Sequence, residues 1–302
     1  MVNKIILAGA TGNLGGRIAL ALSKRGANVD VLLRSETSDD KKQKSLVDLG
    51  LTVRTVDMSN VSELTRVCEG ADCVVSALQG LRNVVVDTQT VLLEAALAAG
   101  VARFIPSDFS TDFRLLTPGG NRNYDLRREF QQRLDAAAIK PTSIFNGVFA
   151  EVLTQKVPYL DLEKKRIGYW EDPDWRLDFS TMDDTAAYTS AAALDPATPR
   201  ALEIASFGVT PRELAKFTDE VLKTPFELVR LGSLEELNLR NKSERAADPE
   251  GENELYPPWQ QSQYEDSMFS VHHDSLDNGR YPDVKWTSLT DFFAQHPEAS
   301  AA

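Results

Sequence analysis

Short apolar runs alternate with amphipathic stretches along the first half of the chain. The first apolar run covers 4–8, and an amphipathic stretch follows it at 12–24. Five more apolar runs, with helical patterns in each gap, cover 29–33, 51–56, 73–77, 103–106 and 142–146. Apolar strands separated by helices predict a parallel sheet covered on both faces. Right-handed crossovers then give an α/β, Rossmann-type doubly wound sheet, which binds its ligand beyond the carboxyl ends of the strands.

The alternation weakens after residue 150. Candidate strands cover 166–170, 177–179, 202–205 and 226–231. One helix is predicted to start after Thr210 as its cap, with Pro211 at an early position, and another starts after Ser233 with capping-box spacing. The polar run 241–253 predicts an exposed loop. We therefore expect an NAD(P)-binding Rossmann domain at 1–150. Residues 151–302 are expected to form mainly a smaller C-terminal substrate lobe, with some segments returning to the Rossmann sheet.

Composition and charge exclude several classes of protein. The chain has 302 residues, 42% of them apolar, and a net charge of -12. These values exclude a disordered chain and argue against nucleic acid as a partner, since a hold on phosphates needs clustered Lys and Arg. No apolar run is long enough to span a bilayer, so we expect no membrane partner and a cytoplasmic protein. Two cysteines, Cys68 and Cys73, are too few for a disulfide framework, and no histidine or third cysteine lies near them in the sequence. We therefore expect reduced thiols and no metal site.

A glycine-rich loop directly follows the first predicted strand and opens a helix. Its sequence is Gly9-Ala10-Thr11-Gly12-Asn13-Leu14-Gly15-Gly16, and we refer to it as the glycine loop. Such glycines let the backbone approach a pyrophosphate, whose charge is stabilised by the N-terminus of the helix. The alternative is that they only permit close packing of strand and helix. The predicted cofactor contacts in this loop are Gly9, Thr11, Gly12, Asn13, Leu14 and Gly15.

Residues that follow the next strands indicate which dinucleotide is bound. Arg34 ends the second strand, where NAD sites usually carry a carboxylate for the ribose. A cation there favours the 2′-phosphate of NADP(H). Asp57 and Met58 follow the third strand and are predicted to meet the adenine, although Asp57 is equally well placed to cap a helix. The small residues that close the fourth strand add three predicted contacts: Ala77, Leu78 and Gln79.

These features, together with four later segments, resemble the NmrA-like and isoflavone-reductase-like branch of the atypical short-chain dehydrogenases. The segments are R-F-I-P-S-D-F at 103–109, N-G-V-F at 146–149, D-F-S-T-M-D-D-T-A at 178–186 and G-R-Y-P-D-V at 279–284. The resemblance implies the Rossmann fold and an NADP(H) cofactor, and it adds Pro106, Ser107, Asn146 and Phe149 as cofactor contacts. It leaves the activity open, because the branch contains both reductases of aromatic substrates and a redox-sensing regulator.

The reductases of this branch carry a lysine in the helix after the fifth strand, and this chain has arginine there. By the reductase pattern the lysine position falls on Arg127. By the Tyr-x-x-x-Lys pattern of short-chain dehydrogenases it falls on Arg128, with Tyr124 and Ser107 as partners. Guanidinium keeps its proton in proteins, so arginine replaces lysine as a cation and not as an acid.

We therefore predict that Tyr124 donates a proton to a developing oxyanion, Ser107 orients the substrate oxygen, and Arg127 or Arg128 holds cofactor and charge. The alternative is that all of them have surface or turn roles. His272, His273 and His296 all lie in the acidic C-terminal segment, where they are more often ordinary surface residues than proton donors.

Aromatic side chains are concentrated in the second half of the chain, where they suit a flat ligand or a core. They are Tyr169, Trp170, Trp175, Tyr256, Trp259 and Tyr264. The segment 257–259 resembles a loop that closes over the site. The sequence thus favours an NADPH-dependent reductase that transfers hydride to a ketone or enone of a small, aromatic metabolite, as a monomer or homodimer. The alternative is a catalytically silent NADP(H) sensor that acts through a protein partner.

Overall fold

The computed structural model describes residues 3–34, 40–155, 157, 159–221 and 223–296. The strands of these residues are β1 (Lys4–Ala8), β2 (Asn28–Arg34), β3 (Thr52–Val56), β4 (Cys73–Ser76), β5 (Arg103–Ile105), β6 (Lys140–Pro141), β7 (Ser143–Phe145), β8 (Val148–Phe149), β9 (Leu160–Asp161), β10 (Arg166–Trp170), β11 (Leu177–Ser180), β12 (Ala201–Glu203), β13 (Phe207–Val209) and β14 (Glu227–Gly232). The α-helices are α1 (Asn13–Lys24), α2 (Asp40–Asp48), α3 (Val61–Cys68), α4 (Gln89–Ala98), α5 (Arg122–Asp135), α6 (Met182–Leu194), α7 (Pro211–Glu220), α8 (Leu234–Ala247), α9 (Pro258–Ser270) and α10 (Leu289–Gln295).

The first six strands form one parallel sheet in the order β3-β2-β1-β4-β5-β6. The predicted doubly wound α/β fold is therefore confirmed. The strand order reverses between β1 and β4, and this reversal defines the switch point at which such sheets bind ligands. One face of the sheet packs its apolar side chains, among them Ile6, Val74 and Phe104, against α3, α4 and α5.

The sixth predicted strand, 142–146, is present as β7, but the expectation that it joins the parallel sheet is wrong. Lys140–Pro141 pairs with β5, whereas the backbone N–H of Ser143 donates to Arg200 O at 2.9 Å and β7 pairs with β12. Pro141 lacks a backbone N–H, so it suits the edge of the sheet and not its interior. The apolar pattern identified the buried strand correctly, but it could not show that the chain changes partners at Ser143.

The described chain divides into two compact units made of interleaved segments. The first unit contains Met1–Phe109, Asn123–Ile144 and Thr185–Leu202, and the second contains Ser110–Arg122, Phe145–Asp184 and Glu203–Ala302. The units differ from the expected single boundary near residue 150 in two places. The segment 110–122, after β5, belongs to the second unit, and most of α6 belongs to the first unit.

The second unit has two three-stranded sheets, in the orders β14-β10-β9 and β13-β11-β8. Its core is rich in aromatic side chains, including Trp170, Phe179 and Phe292. The predicted cap Thr210 and the predicted capping box at Ser233 are both present, and Thr210 also forms a capping box. The predicted exposed loop at 241–253 is wrong in its first half, because α8 continues to Ala247 and buries Asn241.

The segment at 257–259 is not a loop. Pro257 precedes α9, and Trp259 is only 2% exposed in its first turn. Within the described ranges, the structure contains no helix with the length and apolarity needed to cross a membrane. The same residues contain no cluster of three or more histidine, cysteine or acidic side chains that could bind a metal ion. Cys68 and Cys73 are buried thiols, and burial raises the pKa of Cys68 to about 11 and that of Cys73 to about 12.

Candidate active site

The glycine loop has two positions that exclude every side chain. Gly9 has a φ of +92°, and a Cβ built there would lie 2.5 Å from the backbone oxygen of Ala77. A Cβ on Gly15 would overlap the Gly9 carbonyl group. These contacts hold the loop between β1, β4 and α1. Glycine is therefore required at both positions, and Gly12 between them is exposed.

The N-terminus of α1 is open to an anion. Gly12 is the N-cap residue and offers no side-chain cap, and the first turn contains no acidic residue. Asn13 is exposed, and its side-chain oxygen accepts a hydrogen bond from Arg17 Nε at 3.1 Å. Thr11 and Leu14 are half-buried. Backbone N–H groups at such a terminus, together with the helix dipole, stabilise a phosphate. This end of the first unit fits the pyrophosphate of a dinucleotide.

Arg34, Asp57 and Met58 lie at the carboxyl ends of β2 and β3. Arg34 and Asp57 are exposed, whereas Met58 is half-buried. Asp57 accepts hydrogen bonds from the side chain and the backbone of Ser59, and these bonds lower the pKa of its carboxyl group. The cap of α3 is Asn60, whose side chain accepts from Glu63 N. Asp57 is therefore not the helix cap. Its carboxylate is held by Ser59 and is exposed beside the end of β3.

The chain after β4 leads into a π-helix at Asn83–Thr88. Ala77 and Leu78 are half-buried and Gln79 is exposed. The π-helix runs directly into Gln89, the first residue of α4, which is only 1% exposed. Such turns are frequently found at functional sites. Here the π-helix precedes the buried side-chain amide of Gln89, which contacts the chain directly after β5.

That amide holds the backbone of Ser107, which follows the buried Pro106 after β5. Gln89 Oε1 accepts a hydrogen bond from Ser107 N at 3.1 Å. From the other side, Arg127 Nε donates to Ser107 O at 3.0 Å. Both backbone groups of Ser107 are thus fixed, and the residue is 7% exposed. Sequence reasoning missed Gln89, because its partner lies on another element.

Tyr124 and the two candidate arginines lie on α5 with different surroundings. Tyr124 is 5% exposed, and the guanidinium carbon of Arg127 lies 5.6 Å from the centre of its ring. Arg128 instead forms an ion pair with Asp125, one turn earlier on the helix. Of the two positions left open by the sequence, Arg127 is the one that contacts both Ser107 and Tyr124.

Asp108 is a buried acid that the sequence reasoning passed over. Its Oδ2 accepts a hydrogen bond from the Ser143 hydroxyl at 2.7 Å, and Arg200 Nη1 donates to the same hydroxyl at 2.8 Å. Burial raises the pKa of Asp108 to about 6, while the Ser143 hydrogen bond and the charges of Arg127 and Arg200 oppose that shift. Its position directly after Ser107 in the sequence was the signal that could have identified it. The acid adds a titratable group to the Arg127 environment.

Two predicted cofactor contacts, Asn146 and Phe149, belong to the second unit. Asn146 is fully buried after β7, and neither atom of its side-chain amide has a hydrogen-bond partner among the residues that the structure describes. Its backbone N–H donates to Ser110 O at 3.0 Å. Phe149 is half-buried in β8. A buried amide of this kind suits a polar ligand group, because buried polar atoms in proteins are nearly always paired.

The three histidines occupy different environments in the second unit. The side chain of His273 is 1% exposed and lies beside Asp178, so the expectation of an ordinary surface residue is wrong for this histidine. His272 packs edge-on against Trp175 at 4.8 Å. His296 stacks on Phe292. Of the aromatic residues predicted for ligand or core, Trp170 and Trp259 are core residues. Tyr256 is exposed, and Tyr169 and Trp175 are half-buried.

Comparison with known proteins agrees with this architecture. The model of the NmrA-like family matches residues 1–235. Pinoresinol reductase 1 of Arabidopsis thaliana is 31% identical over 211 residues, which span 65% of this chain and 66% of that protein, slightly less than two thirds. The structure of AtPrR2 with NADP+ and (+)pinoresinol has a TM-score of 0.80 at 23% identity, over 97% of this chain and 98% of that one.

A second structural neighbour is the binary complex of leucoanthocyanidin reductase with NADPH from Vitis vinifera. Its TM-score is 0.78 at 18% identity, over 99% of this chain and 100% of that one. At this identity the neighbours establish the fold alone. The family model, in contrast, covers most of the sequence, including the glycine loop and the segment from β5 to α5. The chain therefore belongs to the NmrA-like family.

Proposed function

We propose that the protein is an NADP(H)-dependent reductase that transfers a hydride to a ketone or enone carbon of a small aromatic metabolite. The observation that carries the proposal is the group formed by Ser107, Tyr124 and Arg127. Ser107 follows β5 at the same carboxyl edge of the parallel sheet as the glycine loop. A hydroxyl, a phenol and a fixed cation at this edge are the groups that carbonyl reduction requires.

The residues of the first unit fit a bound NADP(H) molecule. The glycine loop leaves its backbone open, and the uncapped start of α1 favours the pyrophosphate. Arg34 is assigned to the 2′-phosphate. Two structural neighbours are complexes with NADP+ and NADPH, which supports the same cofactor here. The remaining predicted contacts of this unit are Asp57, Met58, Ala77, Leu78, Gln79 and Pro106. Asn146 and Phe149, in the second unit, stay predictions from the sequence.

Bound NADPH would supply the hydride, and the chain's own residues would supply the proton and hold the substrate. Tyr124 donates its phenolic proton to the oxygen that becomes negative, and the Ser107 hydroxyl orients that oxygen. Arg127 holds Ser107 through its carbonyl group, and its charge stabilises the phenolate that remains on Tyr124. Arg127 is not the acid, because guanidinium keeps its proton.

An aromatic substrate is supported by the relatives and by the second unit. One relative and one structural neighbour are named for pinoresinol. In the second unit, Tyr169 and Trp175 keep part of their ring surfaces accessible. Such rings bind flat ligands through offset or edge-to-face contacts. The absence of nucleic acid, the cytoplasmic location and a monomeric or homodimeric state stay predictions from the sequence.

The experiment that tests the cofactor assignment is a titration with NADPH and with NADH, followed by the fluorescence of each dinucleotide. We expect NADPH to bind more tightly. The Arg34→Ala variant should weaken NADPH binding by about tenfold, the value for one hydrogen bond to a charged group. NADH is the matched control, since it lacks the 2′-phosphate and should bind both proteins equally.

The same preparations are then mixed with a panel of aromatic ketones and enones. Oxidation of NADPH with any member of the panel would support the reductase. Tight NADPH binding without turnover would instead favour the catalytically silent sensor. Equal weakening of NADPH and NADH by Arg34→Ala would contradict the role given to Arg34.

A further inference from the structure

The second unit contains a small pocket that is lined by His273, Asp178, Thr111, Gly147 and Met268. Its cavity volume is about 10 Å³, which is the room needed by one water-sized group. A ring or a carboxylate is too large to enter. An O–H group on the edge of a larger molecule has the right size.

The imidazole of His273 is the unusual group in this pocket. Its side chain is only 1% exposed, and neither ring nitrogen has a hydrogen-bond partner within the described ranges. Leaving a buried polar atom unpaired is costly, so such atoms normally have a partner. The side chain therefore points to a ligand group outside the chain.

The carboxylate of Asp178 determines which ring nitrogen carries the proton. His273 Nδ1 lies 3.5 Å from Asp178 Oδ2, which also accepts the His273 backbone N–H at 2.8 Å. Arg176 Nε donates to the other carboxylate oxygen at 3.0 Å. A negative charge beside Nδ1 favours the tautomer with its proton on that nitrogen. Nε2 is then left as a hydrogen-bond acceptor.

The surroundings of the imidazole favour its neutral form. Burial is the main effect that lowers the pKa of His273, and the positive charge of Arg176 and the neighbouring His272 act in the same direction. The carboxylates of Asp178 and Asp112 oppose them. A neutral Nε2 accepts a hydrogen bond and does not attract an anion. The pocket thus selects a donor group.

We propose that this pocket binds a hydroxyl group of a small aromatic ligand, which donates its hydrogen bond to Nε2 of His273. The surroundings suit an aromatic body, because Met268 and Val271 line the pocket and Trp175 packs against His272. The identification of this ligand with the reductase's substrate rests on the proposed function. His273 is then a residue that selects substrates with a free hydroxyl group.

The test uses para-ethylphenol and its methyl ether, titrated calorimetrically into the full protein without dinucleotide. The two probes have the same ring, but only the phenol can donate a hydrogen bond. We expect the phenol to bind about tenfold more tightly, the contribution of one buried hydrogen bond. The His273→Phe variant should bind both probes equally. His296→Phe, at a histidine outside the pocket lining that stacks on Phe292, is the matched control and should keep the preference.

A second measurement uses only the native protein, so it does not depend on whether a variant folds. In the native protein, the ¹⁵N resonance of His273 Nε2 should shift when the phenol is added and stay unchanged with the ether. No detectable phenol binding, equal binding of the two probes, or an unchanged preference in His273→Phe would overturn the proposal. An Nε2 resonance that does not respond to the phenol would mean that the pocket holds an ordered water only, which also overturns it.

These measurements separate this proposal from the proposed function. Binding of the phenol through His273 in a protein that oxidises no NADPH would retain the hydroxyl site and reject the reductase. Turnover of substrates with and without hydroxyl groups at equal kcat/KM, in native protein and in His273→Phe, would retain the reductase and reject the hydroxyl site.

Discussion

Arg127 is the residue on which the proposed chemistry depends most. Its Nε donates to the carbonyl group of Ser107, its guanidinium lies over the ring of Tyr124, and its charge opposes the rise in the pKa of Asp108. A planar guanidinium can make these contacts together, whereas an ammonium group is a compact point charge. Under the proposed function, Arg127 keeps the cationic role that the family resemblance implies for the lysine, and it cannot act as an acid.

Replacing Arg127 by Met should lower kcat by about tenfold or more, because one hydrogen bond from a charged group is lost and Ser107 is no longer held. Steady-state kinetics with NADPH and an aromatic carbonyl substrate measures this change. The matched control is Arg128→Met, which removes an ion pair with Asp125 and should change kcat by less than about twofold. Equal losses in the two variants would contradict the assignment.

Glu265 is a buried carboxyl group in the second unit that should make stability depend on pH. Burial raises its pKa to about 7 from an ordinary 4.5, although the Trp170 indole and the Arg240 charge favour the carboxylate. Between these two pH values the folded chain holds more protons than the unfolded chain. This contribution to stability is therefore complete below pH 4.5 and is lost as the pH rises to about 7.

The Glu265→Gln variant should remove this loss, which is on the order of 3 kcal/mol. Urea unfolding of native protein and variant across that pH range measures it as the difference in the free energy of unfolding. Above pH 7 the variant should be the more stable protein. Glu254→Gln, at an exposed position, is the control for removing one carboxylate. A difference that does not change with pH would contradict the account.

At the scale of elements, Arg122 connects the start of α5 to the segment before α9. Its guanidinium donates to the carbonyl groups of Gly251, Glu254 and Leu255 and lies 4.8 Å from the ring centre of Trp259. These carbonyl groups come from a stretch without a long helix, and the arginine supplies them with hydrogen bonds from a single planar group. This arrangement explains why the segment expected to be a closing loop is held in place.

Arg122→Lys should lower the free energy of unfolding by roughly 2–4 kcal/mol, because a single ammonium group cannot replace the planar set of donors. Chemical denaturation measures the loss. Arg245→Lys is the matched control, since Arg245 also faces Trp259 but is partly exposed, and it should cost less than about 1 kcal/mol. A similar loss in both variants would mean that the hydrogen bonds of Arg122 are not the cause.

Local signals in the sequence predicted the elements where neighbouring residues decide the structure. The capping boxes at Thr210 and Ser233 and the glycine loop after β1 are examples, because each depends on residues within one turn. The pairing of the strand after α5 was missed for the opposite reason. Ser143 leaves β5 to pair with Arg200, more than fifty residues away, and no local pattern records that partner.

At the scale of the whole molecule, the alternation of strands and helices was sufficient to predict the parallel sheet, and the glycine loop with the later segments was sufficient to indicate the family. It was not sufficient for the composition of the two units, because residues 110–122 and 185–202 are assigned by long-range contacts. The same limit applies to the candidate site. Gln89, Asp108 and His273 acquire their roles only through distant partners, whereas the glycine loop could be recognised from its spacing alone.

The most direct test of the central claim is hydride transfer itself. NADPH that carries deuterium at the transferred position is incubated with the protein and a panel of aromatic ketones and enones, and the products are analysed by mass spectrometry. The account predicts a product with one deuterium on the reduced carbon, formed more slowly by Tyr124→Phe. Tight NADPH binding with no labelled product from any member of the panel would contradict it.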